Sequence, residues 1–482
     1  MQPACNQVRA RAVLTEVTPR LSRRSGRRGL QLWPVGLALT LAFTTAVVVA
    51  ATVFYAGWDL LDARGLKPER RIDSKTLFDL VKLSFGVVAG AGALVALVVA
   101  YRRQRVDEDG ALRETTRLHT ERFTTAVSQL GDASAAVRLG GVHALAGLAD
   151  DAPTRALRQT CVDVLCAYLR LPYTAEADLP AGVADDRHSY LALREVRHTV
   201  IRLIRDHLRL PAGHQHSWHG HDFDFTGVTF DGGDFSRSVF SGGTVRFTGA
   251  AFPVGTLSFS GVVFSGGTVD FTTAVFSGGT VDFGRAAFGG GTVDFSRAQF
   301  PGGSVDFADA AFSGGEVLFR NAEFSGGTVS FAGNGLGGSA EFSGAFVDFT
   351  AAGFSAGKVV LDLAAFSGGT VSFNRAEFSG TRVGFAGAEF SGCTVGFTDA
   401  MFPGGRVKFT GARFSGGRVD FDDAVFFSDT VDFAHSAFSG ATVTFTDVHG
   451  PAPTGLLPQN GSTAPIPNGL TVPTAWRPVS PQ

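Results

Sequence analysis

Cysteine is nearly missing from this sequence: Cys5, Cys161, Cys166 and Cys393 are the only four in 482 residues. No set of them has close metal spacing, so neither a disulfide scaffold nor a zinc module supplies the stability. Net positive charge is missing as well. With 42 basic against 44 acidic side chains the formal net charge is −2, which excludes a uniformly basic nucleic-acid binder. Met and Tyr number only 2 and 5, while Phe reaches 44 and Gly 62. Ordinary globular domains do not distribute aromatics this way, and the skew points to a repeat. Hydrophobic content of 44% is ample for a core, and the length suggests two or three domains.

The near-zero total hides an asymmetry. Residues 221–450 hold 12 basic and 23 acidic side chains, a balance of −11. Residues 1–220 hold 29 basic and 21 acidic, a balance of +8. The two halves face different surroundings or do different jobs.

The first hundred residues read as a transmembrane helical hairpin over 29–101. Gly29 to Trp58 is a run of 30 residues without a charge, and Leu83 to Tyr101 is a second of 19. About 20 apolar residues cross a bilayer as a helix. Trp33 and Trp58 sit near the ends of the first run, where amphipathic rings favour the headgroup layer. Gly86, Gly90 and Gly92 give the second the small residues that let helices approach in lipid. The first run is too long for a signal peptide, and a second follows it. A buried hydrophobic hairpin is the alternative. Residues 1–28 form a basic tail with Arg9, Arg11, Arg20, Arg23, Arg24, Arg27 and Arg28 against the single acid Glu16. Together with Arg102, Arg103 and Arg105 after the second run, they place both termini in the cytoplasm of a multi-pass cell-membrane protein.

Residues 102–211 read as a small α-helical domain. Phe123, Ala126, Val127 and Leu130 share one helical face, and Val142, Leu145 and Leu148 form a second. RALRQTCVDVLCAYLR ends at Pro172 and LREVRHTVIRLIRDHLRL at Pro211. Cys161 and Cys166 are five apart, do not share a face, and read as buried thiols.

Residues 222–446 are a repeat whose register can be counted. From Phe240 the aromatics fall at Phe247, Phe252, Phe259, Phe264, Phe271 and onward in alternating steps of seven and five. Each twelve-residue unit carries a Val-x-Phe triplet, such as Val281-Asp282-Phe283, and an Ala-x-Phe triplet, such as Ala286-Ala287-Phe288. Side chains two apart on a strand face the same way, so Val, Ala and Phe point inward. The SGG tripeptides lie at corners, where Gly accepts positive φ. No unit buries its own Phe, so coils must stack with rings roughly 4.8 Å apart. Between Phe331 and Phe342 six extra residues, AGNGLG, read as a loop or a register slip at Leu336.

Triplets with a small residue two before a central Phe resemble the pentapeptide-repeat proteins. Phe225, Phe230, Phe235 and Phe240 keep the strict five-residue step. The later unit is similar to two pentapeptides plus a two-residue spacer, as in VDFTT, AVFSG and GT. The resemblance implies a multidomain chain ending in a right-handed, four-sided parallel β-helix, and the seven-residue step leaves the cross-section open. VRLGGVHALAGLADD with RQTCVDVLCAYLR also resembles membrane-linked actinobacterial members of the family.

Apparent catalytic motifs are by-products of the repeat. Gly353-Phe354-Ser355-Ala356-Gly357 imitates a nucleophile elbow without its strand-to-helix turn. Gly357-Lys358 lacks the spacing and the Ser or Thr of a phosphate loop, and GNGLGG is followed by no helical pattern. No catalytic residue, cofactor, small-molecule substrate or direct nucleic-acid contact is expected. His214, His216, His219 and His221 are either a polar linker or a transition-metal cluster, and no metal site is assigned. Residues 447–482, with eight Pro from Pro451 onward, read as a disordered tail, with Trp476 available to fold back over the last coil.

Two function classes remain. The first is a membrane-anchored, non-enzymatic scaffold that binds a protein partner through the faces of its β-helix. The second is a DNA-mimicking modulator of a gyrase-type topoisomerase, which the resemblance makes possible. Asp270, Asp282, Asp294 and Asp306 form its candidate exposed acidic surface, interrupted at Leu318 and Ser330.

Overall fold

A computed structural model describes residues 73–174, 184–333, 338–427, 430–457 and 466–477, with scattered positions between 40 and 59. They fall into two compact units, Met1–Glu114 and Thr115–Gln482.

Helix α1 (Ser74–Leu130) starts where the Asp73 carboxylate accepts the Ser74 amide at 2.8 Å. It runs unbroken through the junction at residues 101–102, where the sequence pattern puts a domain boundary. The switch from apolar to charged residues there does not interrupt the helical backbone. No Pro interrupts it, and Gln104 reaches Glu108 one turn on at 3.1 Å. Leu83, Phe85, Val88 and Leu97 are all about 70% exposed. Among the described residues α1 is the one helix long and apolar enough to cross a membrane. The expected basic tail lies outside the described residues. So does the first span, apart from scattered positions between 40 and 59 that are helical. One apolar helix is therefore described where the sequence pattern gives two.

In the second unit, α2 (Ala135–Asp150), α3 (Arg155–Leu169) and α4 (Ala184–Arg209) form the expected helical domain. Thr154 caps α3 by accepting the Leu157 amide at 3.3 Å. Leu145, Val162, Leu165, Val196, Val200 and Ile204 are fully buried between the three helices. Cys161 and Cys166 are both buried although they lie on different faces, because α2, α4 and the first strand of the repeat all pack on α3. Burial pushes the Cys166 thiol up to about 12 and the Cys161 thiol to about 11.

The repeat is a parallel β-solenoid. Phe264 pairs with Phe288, so one coil takes 24 residues, or two of the twelve-residue units. Four Phe per coil stack into four columns. One column runs Phe271, Phe295, Phe319, Phe349 with nearly parallel rings 4.7, 4.8 and 4.6 Å apart. Across the interior, rings of facing columns meet edge to face, as Phe271 and Phe283 do at 6.0 Å and 83°. Leu361 takes one Phe place and is as buried as its neighbours. Two parallel sheets line the coil. The first contains Val263–Asp270 and Ala287–Asp294, and the second contains Thr280–Asp282, Ser304–Asp306 and Glu323–Ser330.

The corners explain the glycines in part. Gly267, in one SGG, has φ +75, and a Cβ there would stand 2.4 Å from the Gly243 carbonyl oxygen of the coil before. The turn after each Val-x-Phe triplet also needs positive φ, yet Thr273, Arg285, Arg297 and Leu363 fill it at 58 to 60°. The sequence pattern shows no glycine rule at that corner. A non-glycine residue in this conformation costs about 1–2 kcal/mol, which the surrounding stack sustains.

The six-residue insertion is a loop and not a slip. Ala340 donates to the Phe331 carbonyl at 2.7 Å, the place Ala322 holds relative to Phe319. Phe312 then pairs with Phe342, 30 residues on, and the stack continues. The loop tip, residues 334–337, lies outside the described residues.

The expected disorder after residue 447 does not extend to residues 447–457 and 466–477. Leu470 and Thr471 pair with Val443 and Thr444 and so cover the last open strand. Trp476 folds back against Phe426 and Phe445, with ring centroids 5.8 and 5.7 Å away, and donates to the Gly450 carbonyl. An exposed end of the ring stack supplies the apolar surface that fixes a Pro-rich segment.

Phe307→Ala should cost about 3–5 kcal/mol of stability in denaturant unfolding, because the cavity opens inside a continuous stack. Phe307→Leu, which imitates Leu361, should cost about 1 kcal/mol. Equal losses for the two would contradict a ring-stacked core.

Candidate functional site: the faces and the capped end of the solenoid

The coil interior is filled, so chemistry is confined to the outer faces and the ends. Asp270 and Asp294 stack in register on the first sheet, and Asp282 and Asp306 on the second. They lie at outward positions, as the sequence pattern places them, but not fully in solvent. All four are half-buried. Each turns one carboxylate oxygen back onto the amide two residues on: Thr272 at 2.8 Å, Gly284 at 2.7 Å, Ser296 at 2.8 Å and Ala308 at 2.9 Å. Asp270 also accepts the Thr248 hydroxyl at 2.7 Å. These carboxylates cap the corner after the strand, the usual habit of Asp in turns. Burial, with Asp282 and Asp309 nearby, moves the Asp306 carboxyl above its ordinary value against the pull of the Ala308 amide.

At two corners where the cap residue is lost, a neighbouring coil supplies the acceptor. Gly384 stands in the Asp place, and Asp362 of the preceding coil accepts the Ala386 amide at 2.8 Å. Gly396 is served likewise by Asn374, which accepts the Thr398 amide at 3.0 Å. At these two corners the acceptor is charged in one case, Asp362, and neutral in the other, Asn374.

The first coil is closed by the helical domain through a polar joint that the repeat count did not single out. Asp231 is 3% exposed and lies between α4 and the coil. Its carboxylate accepts from the Tyr190 hydroxyl at 2.8 Å, Arg194 Nε at 3.0 Å and His198 Nε2 at 3.1 Å, and also from the Tyr173 hydroxyl. Burial opposes its charge, but the donors from His198, Tyr173 and Tyr190 outweigh burial and hold the carboxyl below the usual range. Burial and the same carboxylate push the Tyr190 phenol up to about 12. Arg197 lies over the Tyr173 ring at 4.1 Å and donates to the Leu169 and Thr229 carbonyls at 2.6 and 2.8 Å. Arg205 reaches Asp234 and Arg170 reaches Asp224. The one legible signal is that Asp231 follows Phe230 where later repeats place Ser after Phe.

The histidines between α4 and the repeat do not converge. His219 meets the Leu208 carbonyl at 2.9 Å, and His221 meets Gln159 at 2.9 Å. His214 and His216 touch edge to face. Among the described residues no group of His, Cys, Asp or Glu has a metal-holding arrangement. Burial first, then Arg155 and Arg158, pushes His221 down to about 4. Trp218, fully buried, stacks on His207 at 4.0 Å, and His207 and the Trp218 indole share the Asp150 carboxylate. Ser355 of the apparent elbow lies within the strand Gly353–Val360.

Asp231 and the His207–Asp150 pair give opposite pH signs. Asp231 has a lowered value, so its contribution is complete above about pH 3.9 and lost as pH falls through the folded value. Asp231→Asn should cost about 1–3 kcal/mol at pH 7, with the penalty shrinking in acid. Burial lowers His207, but Asp150 and the Leu203 carbonyl raise it further, so its net value is raised. That pair is complete below about pH 6.5 and fades as pH rises through the folded value. Asp150→Asn should therefore lower the melting temperature more at pH 5.5 than at pH 8.5. The reverse order would refute the His207–Asp150 assignment.

No curated protein matches the sequence. A family model described as pentapeptide repeats (9 copies) matches residues 225–275. The match begins on the strict five-residue steps from Phe225 to Phe240 and runs into the first coils with alternating steps, so residues 225–275 of the parallel β-solenoid are similar to pentapeptide repeats.

Proposed function

We propose that this chain is a membrane-anchored, non-enzymatic scaffold whose solenoid faces bind a protein partner. The observation that carries the reading is the filled interior. With Phe, Val and Ala closing every coil, the solenoid offers stiff outer faces and no internal site. The exposed apolar stretch of α1 supports the anchor. The basic residues before Gly29 and after Tyr101 favour a multi-pass topology with the N-terminus and the solenoid in the cytoplasm of the cell membrane. Motif resemblance puts the source among actinobacteria.

DNA mimicry is the weaker reading. Duplex DNA presents a charge about every 1.7 Å, whereas one Asp column repeats at roughly 4.8 Å. The Asp column is also committed to turn capping, and on the second sheet it is broken by Val360, Gly384 and Lys408 before Asp432.

Full-length chain expressed in cells should sediment with membranes and resist alkaline carbonate extraction. Photo-cross-linkers at exposed solenoid positions such as Glu389 and Arg413 should capture one discrete protein in the native membrane. A freely soluble chain, or cross-links only to solvent and lipid, would remove the scaffold reading. In a gyrase supercoiling assay the full chain should have no effect, and potent inhibition would establish mimicry instead.

A further inference from the structure

One stretch of the second sheet gathers cations. At one outward position its coils carry Asp234, Ser258, Asp282, Asp306 and Ser330, then Val360, Gly384 and Lys408, and then Asp432. Two residues earlier on the same strands, Lys358, Arg382 and Arg406 are direct register partners. Residues two apart on a strand share a face, so Lys408 joins these three while Val359, Val383 and Val407 point into the core. Four of the 12 basic residues in 221–450 thus gather on three adjacent coils of a segment where acids outnumber bases.

The four cations also enclose a space. Around Gly384 lies a notch of about 260 Å³ lined by Lys358, Arg382, Arg406, Lys408, Gly384 and Asp362, with the Asp362 carboxylate standing where a Gly384 side chain would go. Asp362 is the one acid lining it, and its Oδ1 is engaged by the Ala386 amide. Elsewhere on the solenoid Arg320 pairs with Asp348, and Arg418 with Asp420 and Asp422. Among the described residues none of the four cations has such a partner, and all four are exposed.

We propose that this notch is a binding site for a compact anion carrying two or more phosphate groups. Three stacked cations at roughly 4.8 Å intervals match a row of phosphates along the solenoid axis. Single orthophosphate would engage only part of the row. Arg382 and Arg406 supply planar, forked donors for phosphate oxygens, and Lys358 and Lys408 supply point charges at either side. Like charges held this close repel one another, and an anion between them relieves that repulsion. The absent side chain at Gly384 admits the Asp362 carboxylate to the floor, and the four cations around it outnumber that single acid. The chemistry suits a free condensed phosphate and a phosphorylated lipid headgroup alike. The site goes beyond the scaffold reading and does not depend on it.

The probe is inorganic tripolyphosphate, titrated calorimetrically into the full-length chain in nonionic detergent. Saturable binding near one per chain is expected, tighter than for orthophosphate and weakened severalfold when NaCl rises from about 50 to about 300 mM. Arg382→Ala with Arg406→Ala should weaken it by roughly tenfold or more without lowering the melting temperature. Arg297→Ala, an exposed cation on another coil, should leave it unchanged. Adding phosphatidic acid to the micelles decides the source: competition assigns the natural phosphate to a lipid headgroup, and no competition assigns it to a soluble anion. Absence of binding, equal affinity for orthophosphate, or binding untouched by the double substitution would overturn the proposal. Should the double variant melt early, Lys358→Ala with Lys408→Ala, which keeps both arginines and the Gly384 floor, must weaken binding severalfold in its place.

Discussion

Parallel stacking of phenylalanine rings on neighbouring coils is the interaction on which the rest of the molecule rests. A twelve-residue unit with one Val-x-Phe and one Ala-x-Phe triplet has no partner for its rings within itself. Each ring is buried only when the coils before and after are in place, so stability accrues by nearest-neighbour contact. The stack fixes the pitch at the strand spacing. It sustains the positive-φ corners at Thr273 and Leu363, which a looser core would not hold. It also absorbs the six-residue insertion, because Phe342 returns to the column regardless of what leaves the corner after Phe331.

A ring stack has two ends, and each end is treated differently. The first coil meets a helical domain through Arg and Tyr donors that converge on Asp231, with Ile201 and Leu257 crowding the Gly233 position. A buried charge so fully hydrogen-bonded fixes one docking geometry as apolar contact alone does not. The last coil is closed more simply. Leu470 and Thr471 add a strand, and the Trp476 indole lies against the terminal rings. Both caps remove an unpaired strand edge that would otherwise invite association.

The outer faces divide labour between structure and recognition. Asp at the outward position after Val serves its own turn, and Asp362 and Asn374 serve the turns of the coils that lack an acceptor. The acidity of the solenoid is thus largely a consequence of how its corners are made. Charge unrelated to capping is the more informative kind, and Lys358, Arg382, Arg406 and Lys408 are such charges.

The sequence alone determined the repeat unit, the inward residues and the place of the inserted loop, because phenylalanine spacing at seven and five translates directly into a strand period. It also located the helical domain and the long apolar runs, since these depend on neighbours within one helix. It did not reveal the role of Asp270 or Asp282, which read as surface acids until their carboxylates are seen turned onto the amides of Thr272 and Gly284. The joint at Asp231 unites residues from Tyr173 to Asp231, and the notch unites Lys358 with Arg406. Only the tertiary structure decided these, because coil closure makes neighbours of residues 24 apart and helix packing brings together groups with no common period.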